Sequence, residues 1–370
     1  MPAAKRRAVP TVERITPKII NWFQREARDM PWRQTLDPYG IWVSEIMLQQ
    51  TQVKTVIPYW NRWMKRLPTI EKLAKSREST ILKLWEGLGY YTRVRNIQKA
   101  ARQILQRHDG RFPNDSRAIQ ELSGIGRYTT GAIASIAFDL PEPILDGNVI
   151  RGLTRVFGIA GDPKSKVVNE RLWNLSSKLV SKTKPGAKIT NKAPLIFSGE
   201  RSLLNQGLME LGATVCTPIG PSCGSCPLNR ECIARNEGRI DQFPETAKRQ
   251  QAAQRSFVTI ALRRNEEVFI RKRPKGLVNA GFWEFPNLET TTEHLSPKEV
   301  CRTLFGFEAE PNLIDRFKHS ITRYRYEQAV YQVTAPPMLE CEFGEWIPIR
   351  LPKNKPFYSP QIRIFKKLGQ

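Results

Sequence analysis

The sequence has few acidic residues for its length, and it lacks any long apolar run. It contains 35 aspartates and glutamates against 59 lysines and arginines, which gives a formal net charge of +24. Such an excess favours a polyanionic partner, and we expect nucleic acid; a basic surface that serves only solubility is the simpler alternative. No hydrophobic stretch reaches the length of a membrane span, so no membrane partner is predicted.

The first ten residues, MPAAKRRAVP, lack the apolar segment of a secretory signal. A transit segment and an arm that contacts phosphates are alternatives, but we predict a flexible basic arm over residues 1–14. Hydrophobic residues make up 40% of the 370 positions, which is enough for sizeable cores. A chain of this length is expected to fold as two domains.

Strand-like alternation is missing from the first two thirds of the chain. From about residue 15 onward the apolar positions recur at helical spacing, as in Ile19, Ile20 and Phe23. Thr16-Pro17 is a typical helix start, with a capping hydroxyl followed by proline. We therefore predict an all-α domain over residues 15–238.

The pattern changes after a polar stretch over residues 239–254, which is interpreted as an interdomain linker. Residues 257–262 and 267–271 flank an Arg-Asn pair and predict a β-hairpin, and residues 324–334 predict a further strand. The second domain, over residues 255–370, is therefore expected to be α+β.

Four of the six cysteines fall within 17 positions, with the spacing C-x6-C-x2-C-x5-C: Cys216, Cys223, Cys226 and Cys232. In a chain without an export signal such crowding favours a metal site over disulfides. Four thiolates can ligate a [4Fe–4S] cluster. Zinc is the alternative by general chemistry.

A glycine-containing turn, Leu122-Ser-Gly-Ile-Gly126, precedes an apolar helix predicted over residues 132–138. Gly124 and Gly126 allow the backbone to turn tightly, and the N-terminus of the next helix presents free amides to a phosphate. A plain packing corner between two helices is the alternative.

Two acidic residues stand out by their sequence context. Asp146 lies 20 residues after Gly126 and is placed to cap the next helix. Glu45 lies between apolar residues on what is predicted to be a buried helix, where a carboxyl group is costly unless its pKa is raised or it has partners. A protonated glutamate in an apolar setting suits a general acid. An exposed helix glutamate is the alternative.

Taken in order, these motifs resemble the MutY-type adenine DNA glycosylases of the helix–hairpin–helix superfamily. The resemblance covers about residues 15–365 and includes Trp42-Val-Ser-Glu-Ile-Met-Leu-Gln-Gln-Thr51. It implies that Glu45 is the catalytic acid and Asp146 the catalytic carboxylate, with Tyr128 and Asn148 orienting them. The cysteine spacing matches the [4Fe–4S] loop of this family and of endonuclease III, and thus favours the cluster over zinc.

The resemblance also implies how the substrate is held. Gly124 and Gly126 would bind a DNA phosphate. The remaining contacts fall into two groups, an adenine pocket and the surroundings of the opposite base. The pocket would be lined by Trp32, Arg33 and Gln206, while Gln50, Leu88 and Tyr90, with Thr51 beside Gln50, would enter the helix around the opposite base.

The residue at position 128 decides whether strand cleavage is expected after base removal. Family members that also cut the DNA backbone carry a lysine there, which forms a Schiff base, whereas this chain has Tyr128. Base removal without strand cleavage is therefore expected, although Tyr128 as a packing residue is the alternative. An endonuclease III-like glycosylase/lyase and a non-catalytic lesion-binding protein are the competing functions.

The C-terminal part resembles the Nudix-related domain of the family, on the segments 268–274 and 276–286. A Nudix hydrolase needs R-E-x2-E-E-x-G to bind metal ions, but the corresponding segment begins Lys298-Glu-Val-Cys, so pyrophosphate hydrolysis is not expected. Phe317 and His319 match the family's lesion-sensing Phe-Ser-His loop. Lys318 replaces its serine, and Ser320 or Thr322 is the candidate substitute.

The resemblance as a whole predicts a monomeric enzyme that removes adenine opposite 8-oxoguanine or guanine in double-stranded DNA. The expected location is the cytoplasm with the nucleoid in a bacterium, and the nucleus or mitochondrion in a eukaryote.

Overall fold

The computed structural model describes residues 9–186, 188–192, 194–246, 251–291, 295–321, 323–339, 341 and 343–369. The chain forms two compact units. The first, here the helical unit, comprises Met1–Lys75 and Asn96–Lys248. The second, here the sheet unit, comprises Ser76–Arg95 and Arg249–Gln370.

The elements up to residue 236 are mostly helices, as predicted. In chain order they are α1 (Val12–Glu26), α2 (Pro38–Leu48), α3 (Val53–Arg66), α4 (Ile70–Lys75), α5 (Glu78–Leu84), α6 (Thr92–Arg107), α7 (Ser116–Gln120), α8 (Arg127–Phe138), α9 (Gly147–Phe157), α10 (Lys166–Val180), β1 (Ile189–Lys192), β2 (Leu195–Phe197), α11 (Glu200–Thr214) and α12 (Ile233–Asn236).

The core of the helical unit forms where α11 packs against α1, α8 and α9. Helix α2 packs on α8 and is buried over nearly its whole circumference, from Tyr39 to Met47. Asp37 caps its N-terminus by accepting a hydrogen bond from the Tyr39 amide, with Pro38 at the first helical position. This packing brings the middle of α2 next to the start of α8.

The predicted start of the first helix at Thr16-Pro17 is wrong. Helix α1 begins at Val12 with Thr11 at its N-cap, and Pro17 lies inside the helix. The earlier start lets Ile15 reach the core, where it is fully buried. The Thr16 hydroxyl donates to the Leu179 carbonyl (3.2 Å) and therefore serves helix–helix packing instead of capping.

The helical domain also contains one short pair of strands, which its sequence pattern does not predict. Strands β1 and β2 form a short antiparallel pair with Ile189 opposite Phe197. Leu195 and Phe197 are buried in the core of the helical unit. Strands of three and four residues are too short to produce a recognisable alternation, because one period needs two residues.

The sheet unit is α+β, as predicted. Its elements beyond residue 250 are β3 (Ala253–Arg264), β4 (Glu267–Lys272), β5 (Trp283–Glu284), β6 (Asn287–Glu289), α13 (Pro297–Phe305), β7 (Asn312–Ile321), β8 (Tyr324–Thr334), β9 (Glu345–Pro348) and α14 (Ser359–Leu368). The main strand order is β5-β4-β3-β8-β7, with β6 beside β3 and β9 beside β4. Strands β3 and β8 are parallel, and the other pairs are antiparallel.

The predicted hairpin and the apolar run before it are confirmed. Arg263 pairs with Val268 across a turn in which Asn265 has a φ of 53°. The run over residues 257–262 is apolar on both faces because the sheet is covered on both sides. Ile260 packs with α13 residues, whereas Ala261 packs with α14 residues.

The segment Ser76–Arg95 belongs to the sheet unit although it lies far from it in sequence. The Phe357 amide donates to Oε1 of Glu86 (2.6 Å), and Lys83 Nζ donates to the Lys355 carbonyl (3.0 Å). The Tyr91 and Phe282 rings lie 4.1 Å apart. These contacts explain the grouping.

The predicted linker over residues 239–254 contains a packed part. Phe243 is buried, and its carbonyl accepts a hydrogen bond from Arg155 (3.1 Å). Residues 247–250 lie outside the described residues. None of the described helices combines the length and the apolarity that crossing a bilayer would require.

Candidate active site

Glu45 lies on α2 with its side chain turned into the protein, and the residue is 6% exposed. The Tyr128 hydroxyl, from the first turn of α8, donates to its Oε2 atom at 3.0 Å. Burial raises the pKa of Glu45 to about 7, and the nearby charge of Asp146 adds to the rise. The Tyr128 hydrogen bond and the Arg33 charge act in the opposite direction but are outweighed. Glu45 can therefore hold a proton near neutral pH.

Asp146 is the N-cap of α9, as its sequence position indicated. Its Oδ1 atom accepts from the Val149 amide (2.7 Å), and Oδ2 accepts from the side-chain amide of Asn148 (3.1 Å). Burial raises the pKa of Asp146, while these hydrogen bonds and the Arg151 charge favour the anion. The cap fixes the direction of the carboxylate.

One cleft of the helical unit, with a volume of about 1010 Å³, collects the predicted catalytic and pocket residues. This size suits a ligand of nucleoside size or larger, since ligand pockets usually span about 300–1,000 Å³. The predicted residues that line it are Trp32, Arg33, Glu45, Gln50, Thr51, Tyr128, Asp146, Asn148 and Gln206.

The cleft wall also contains functional candidates that sequence reasoning missed. Glu210 is buried and accepts hydrogen bonds from Arg33 (3.0 Å) and Arg28 (2.6 Å). The Met209 sulfur lies 3.2 Å from the Tyr128 hydroxyl oxygen, beside the hydrogen bond from that hydroxyl to Glu45. The available signal was the helical spacing, because Glu210 lies four residues after Gln206 and thus on the same face of α11.

The glycine turn before α8 has the predicted geometry. Gly124 has a φ of 79°, and a Cβ atom there would lie 2.6 Å from the Asn96 side chain. Gly126 is the N-cap residue of α8. The turn therefore needs glycine at position 124, both for its backbone angle and for the close approach of Asn96.

The four clustered cysteines follow α11 and surround one cavity. Burial raises the pKa of the Cys226 thiol to about 12, and charges on the other three thiols add to the rise, so the four lie near one another. Among the described residues, no three His, Cys, Asp or Glu side chains are arranged to hold a single metal ion. A cluster of four irons is larger than one ion, and four separate thiolates around a cavity suit it.

Comparisons with known proteins agree with this geometry. Residues 43–178 match the HhH-GPD superfamily of base excision DNA repair proteins, and residues 257–367 match the NUDIX domain family. The adenine DNA glycosylase of Buchnera aphidicola from Acyrthosiphon pisum is 36% identical over 278 residues, which cover 75% of each chain. The chain belongs to the adenine DNA glycosylase family.

Further relatives and one solved structure show how much of each chain is matched. The rat adenine DNA glycosylase is 43% identical over 238 residues, which cover 61% of this chain and 43% of the rat protein. The chain spans between 43% and 62% of the length of the mammalian relatives. A solved thermostable thymine-DNA glycosylase matches with a TM-score of 0.52 and 27% identity, over 61% of this chain and 97% of that one.

Leu88 and Tyr90 are among the residues predicted to lie around the opposite base. Both lie in the sheet unit, in a turn where Gly87, Gly89 and Tyr90 all have positive φ. Leu88 is buried, whereas Tyr90 is 45% exposed. Arg93 donates to the carbonyls of Leu88 and Gly89 and packs over the Tyr90 ring. The turn is thus held rigidly, with an aromatic ring at its surface.

The residues predicted to sense the lesion, Phe317, His319 and Ser320, lie on β7. Phe317 is buried, His319 stacks on Tyr326 (5.0 Å between ring centroids), and Ser320 is exposed. Lys318, at the position of the expected serine, pairs with Glu327 of β8 at 3.5 Å. Thr322, the other candidate hydroxyl, lies outside the described residues.

Residues 257–367 match the NUDIX domain family, but the sequence there lacks the R-E-x2-E-E-x-G motif of the hydrolases. The acid in the corresponding segment, Glu299, forms a capping box with Ser296 at the start of α13. Its carboxylate accepts from the Ser296 amide at 2.7 Å. Glu299 therefore serves helix capping.

Proposed function

We propose that this protein hydrolyses the N-glycosidic bond of adenine opposite 8-oxoguanine or guanine in double-stranded DNA. The observation that carries the proposal is the pairing of the buried carboxyl group of Glu45 with the partly buried carboxyl group of Asp146 in one cleft of nucleoside size. Burial raises the pKa of Glu45 to about 7, so this group can hold a proton near neutral pH. Burial also raises the pKa of Asp146, but the hydrogen bonds from Val149 and Asn148 favour its anion. One acid and one anion are the two groups that such a hydrolysis needs.

In the proposed mechanism Glu45 donates its proton to the adenine, at N7 by family resemblance. The bond between the sugar C1′ and adenine N9 then breaks, and its electron pair leaves with the base, which departs neutral. The sugar becomes oxocarbenium-like, and the Asp146 carboxylate stabilises its positive charge. A water molecule adds to C1′ and gives a proton to Glu45, which restores the acid.

The other cleft residues have supporting roles in this proposal. The Tyr128 hydroxyl orients Glu45, and the Asn148 amide orients Asp146. Trp32, Arg33 and Gln206 form the adenine pocket. Reaching the pocket requires the adenine to leave the base stack, as in other enzymes that act on bases.

We propose that the reaction ends at base removal. A lyase step needs an amine that forms an imine with the sugar, and Tyr128 holds the position where related lyases have lysine. Its hydroxyl is already bonded to Glu45. Borohydride trapping tests this: no covalent protein–DNA adduct should form, and an adduct would restore the glycosylase/lyase alternative.

The DNA-binding surface is proposed from charge and from the turn geometry. A net charge of +24 favours phosphate contacts, with Gly124 and Gly126 at the helix N-terminus of α8 as one phosphate site. Gln50, Thr51, Leu88 and Tyr90 are proposed to surround the opposite base. Phe317, His319 and Ser320 are proposed to sense its oxidation, which gives the C-terminal domain its role.

The four clustered cysteines are proposed to hold a [4Fe–4S] cluster, one thiolate for each iron. Arg155 donates a hydrogen bond to the Cys216 sulfur (3.5 Å), and Arg151 donates one to the Cys216 carbonyl (2.7 Å). Bound there, the cluster would tie the loop after α11 to α12 and stabilise this part of the fold. Iron and sulfide analysis of the purified protein should give four of each per chain, and stoichiometric zinc would contradict the assignment.

One assay tests the function. Single-turnover adenine release is measured on three duplexes with adenine opposite 8-oxoguanine, guanine or thymine. We expect the first two to react and the third to react least. Equal rates on all three would remove the specificity claim, and no release from any of them would remove the function itself. We expect the protein to act as a monomer wherever the cell keeps DNA: with the nucleoid in a bacterium, or in the nucleus or mitochondrion of a eukaryote.

A further inference from the structure

The side-chain amide of Gln206 is held in one orientation inside the cleft. Its Oε1 atom accepts a hydrogen bond from Nε of Arg33 (3.0 Å), and its Nε2 atom donates to the Ser202 hydroxyl (3.0 Å). A flipped amide would turn its NH₂ group toward the Arg33 donor, where two donors would meet. Arg33 therefore selects the orientation.

Arg33 in turn is fixed by three contacts. It donates to Oε2 of Glu210 (3.0 Å) and to the Arg28 carbonyl (3.1 Å), and its guanidinium lies 4.8 Å from the centroid of the Phe23 ring. The residue is 5% exposed. A buried guanidinium without a carboxylate partner would be costly, so Glu210 is what allows Arg33 to remain charged there.

Glu210 is shared between two arginines. Oε1 and Oε2 accept from Arg28 (2.6 and 2.9 Å), while Oε2 also accepts from Arg33. These contacts hold the pKa of Glu210 below its usual value even though its burial acts the other way. The three side chains thus form a connected series, from Glu210 through Arg33 to Gln206.

The bonds to Arg33 and Ser202 use only part of the hydrogen-bonding capacity of the Gln206 amide. An amide offers two N–H donors and two oxygen lone pairs. Within the described residues, Arg33 and Ser202 take one lone pair and one N–H. One donor and one acceptor remain for the cleft. This pair complements the Watson–Crick edge of adenine, where the 6-amino donor lies next to the N1 acceptor, and N7 stays available to Glu45.

We infer that Glu210 is a positioning residue for base selectivity, which acts through Arg33 to hold the Gln206 amide in the orientation that recognises the 6-amino group of adenine. This inference rests on the proposed function and adds the means by which adenine is distinguished from other purines. Glu210 makes no contact with the reacting atoms in this scheme.

The test compares release of adenine with release of unsubstituted purine, which lacks the 6-amino group, from otherwise identical duplexes under single-turnover conditions. The Glu210→Gln side chain has nearly the same volume but offers one carbonyl to two arginines. We expect it to lower the adenine-to-purine rate ratio about tenfold, since an analogue that cannot satisfy a fixed polar group is disfavoured by roughly that factor. Gln206→Ala should lower the ratio similarly.

A double-mutant cycle separates positioning from general damage. In the Gln206→Ala background, Glu210→Gln should leave the ratio unchanged, because the group through which it acts is already gone. If Glu210→Gln fails to fold, Arg33→Lys replaces it: a single ammonium cannot hold Glu210 and Gln206 in the same fork geometry.

The matched control is Glu284→Gln in the sheet unit, where a fully buried carboxylate is also shared by two arginines, Arg271 and Arg273. It should leave the ratio unchanged. Equal slowing of both bases by Glu210→Gln would overturn the inference while leaving the proposed function intact. A wild-type protein that releases neither base would overturn both.

Discussion

Two buried glutamates, one in each unit, are held in opposite ways. Glu284, in the sheet unit, is fully buried, and its carboxylate bonds Arg271 (3.3 Å), Arg273 and the Tyr358 hydroxyl (2.9 Å). Glu45, in the cleft of the helical unit, is nearly as buried, but its hydrogen bond comes from the neutral Tyr128 hydroxyl. Among the described residues, no lysine or arginine forms an ion pair with Glu45.

The two glutamates differ because the arginines near Glu284 bond to it, whereas the arginine near Glu45 bonds to other groups. Arg33 lies near enough to lower the pKa of Glu45, but its donors are engaged by Glu210, Gln206 and the Arg28 carbonyl. Burial therefore dominates, and the pKa of Glu45 rises to about 7. A buried carboxylate that is neutralised by guanidinium groups stabilises structure, whereas one without them is available for proton transfer.

The largest expected effect is on the reaction at Glu45. Glu45→Gln keeps the shape of the side chain but removes the transferable proton, and general acids contribute about 10²–10⁴-fold to rate. We expect single-turnover adenine release to fall by that factor, with duplex affinity unchanged in a gel-shift titration. Near-full turnover in this variant would remove Glu45 from the mechanism and would make the contrast with Glu284 meaningless.

The corresponding change in the sheet unit should affect stability instead. Glu284→Gln leaves Arg271 and Arg273 without their shared anion, and breaking a buried ion pair from one side costs about 3–5 kcal/mol. We expect the free energy of unfolding of this unit to fall by that order in denaturant titration. Adenine release per folded molecule should not change, and a loss of chemistry as large as that of Glu45→Gln would erase the distinction.

The raised pKa of Glu45 predicts a third difference, in how stability depends on pH. Between its ordinary value of 4.5 and about 7, Glu45 keeps its proton in the folded protein but loses it in the unfolded chain. The folded state then binds more protons, so stability falls as pH rises through this window, by about 3 kcal/mol in total.

The measurement compares wild type with Glu45→Gln. Their free energies of unfolding should be closest below pH 4.5, and the variant should gain on wild type as the pH rises to 7. A constant difference across this range would mean that Glu45 ionises in the folded protein as readily as in the unfolded chain.

Sequence reasoning could place the proposed pair, Glu45 and Asp146, because both carboxyl groups belong to local patterns. Asp146 begins a helix as a cap, and Glu45 lies on a helix apolar all round, so the burial of Glu45 and the direction of Asp146 follow from nearby residues. Glu210 escaped notice because its role depends on Arg28 and Arg33, which lie 182 and 177 positions away in the chain. Only tertiary packing brings these charges together.

The errors in the predicted fold also arise from tertiary contacts between residues far apart in the chain. Thr16-Pro17 has the local chemistry of a helix start, but the Thr16 hydroxyl bonds Leu179, on a helix 163 positions later. The segment Ser76–Arg95 has the sequence pattern of ordinary helix and turn, yet it packs with residues more than 180 positions away, as in the bond from Arg95 to the Ala280 carbonyl. Local pattern predicts elements well and their partners poorly.

The smallest expected effect is that of removing the Tyr128 hydroxyl, which gives Glu45 a hydrogen bond where Glu284 has ion pairs. Tyr128→Phe removes the hydroxyl that favours the Glu45 anion, so the pKa of Glu45 should rise further above 7. Because the acid must be protonated, the wild-type rate should fall as pH rises through about 7, and in Tyr128→Phe this fall should begin at higher pH. At pH 6, where Glu45 is mostly protonated in both proteins, we expect about a tenfold loss, or about 1.4 kcal/mol, from the poorer orientation of the carboxyl group. A pH profile that moved to lower pH would mean that the Tyr128 hydroxyl stabilises the protonated acid and not the anion.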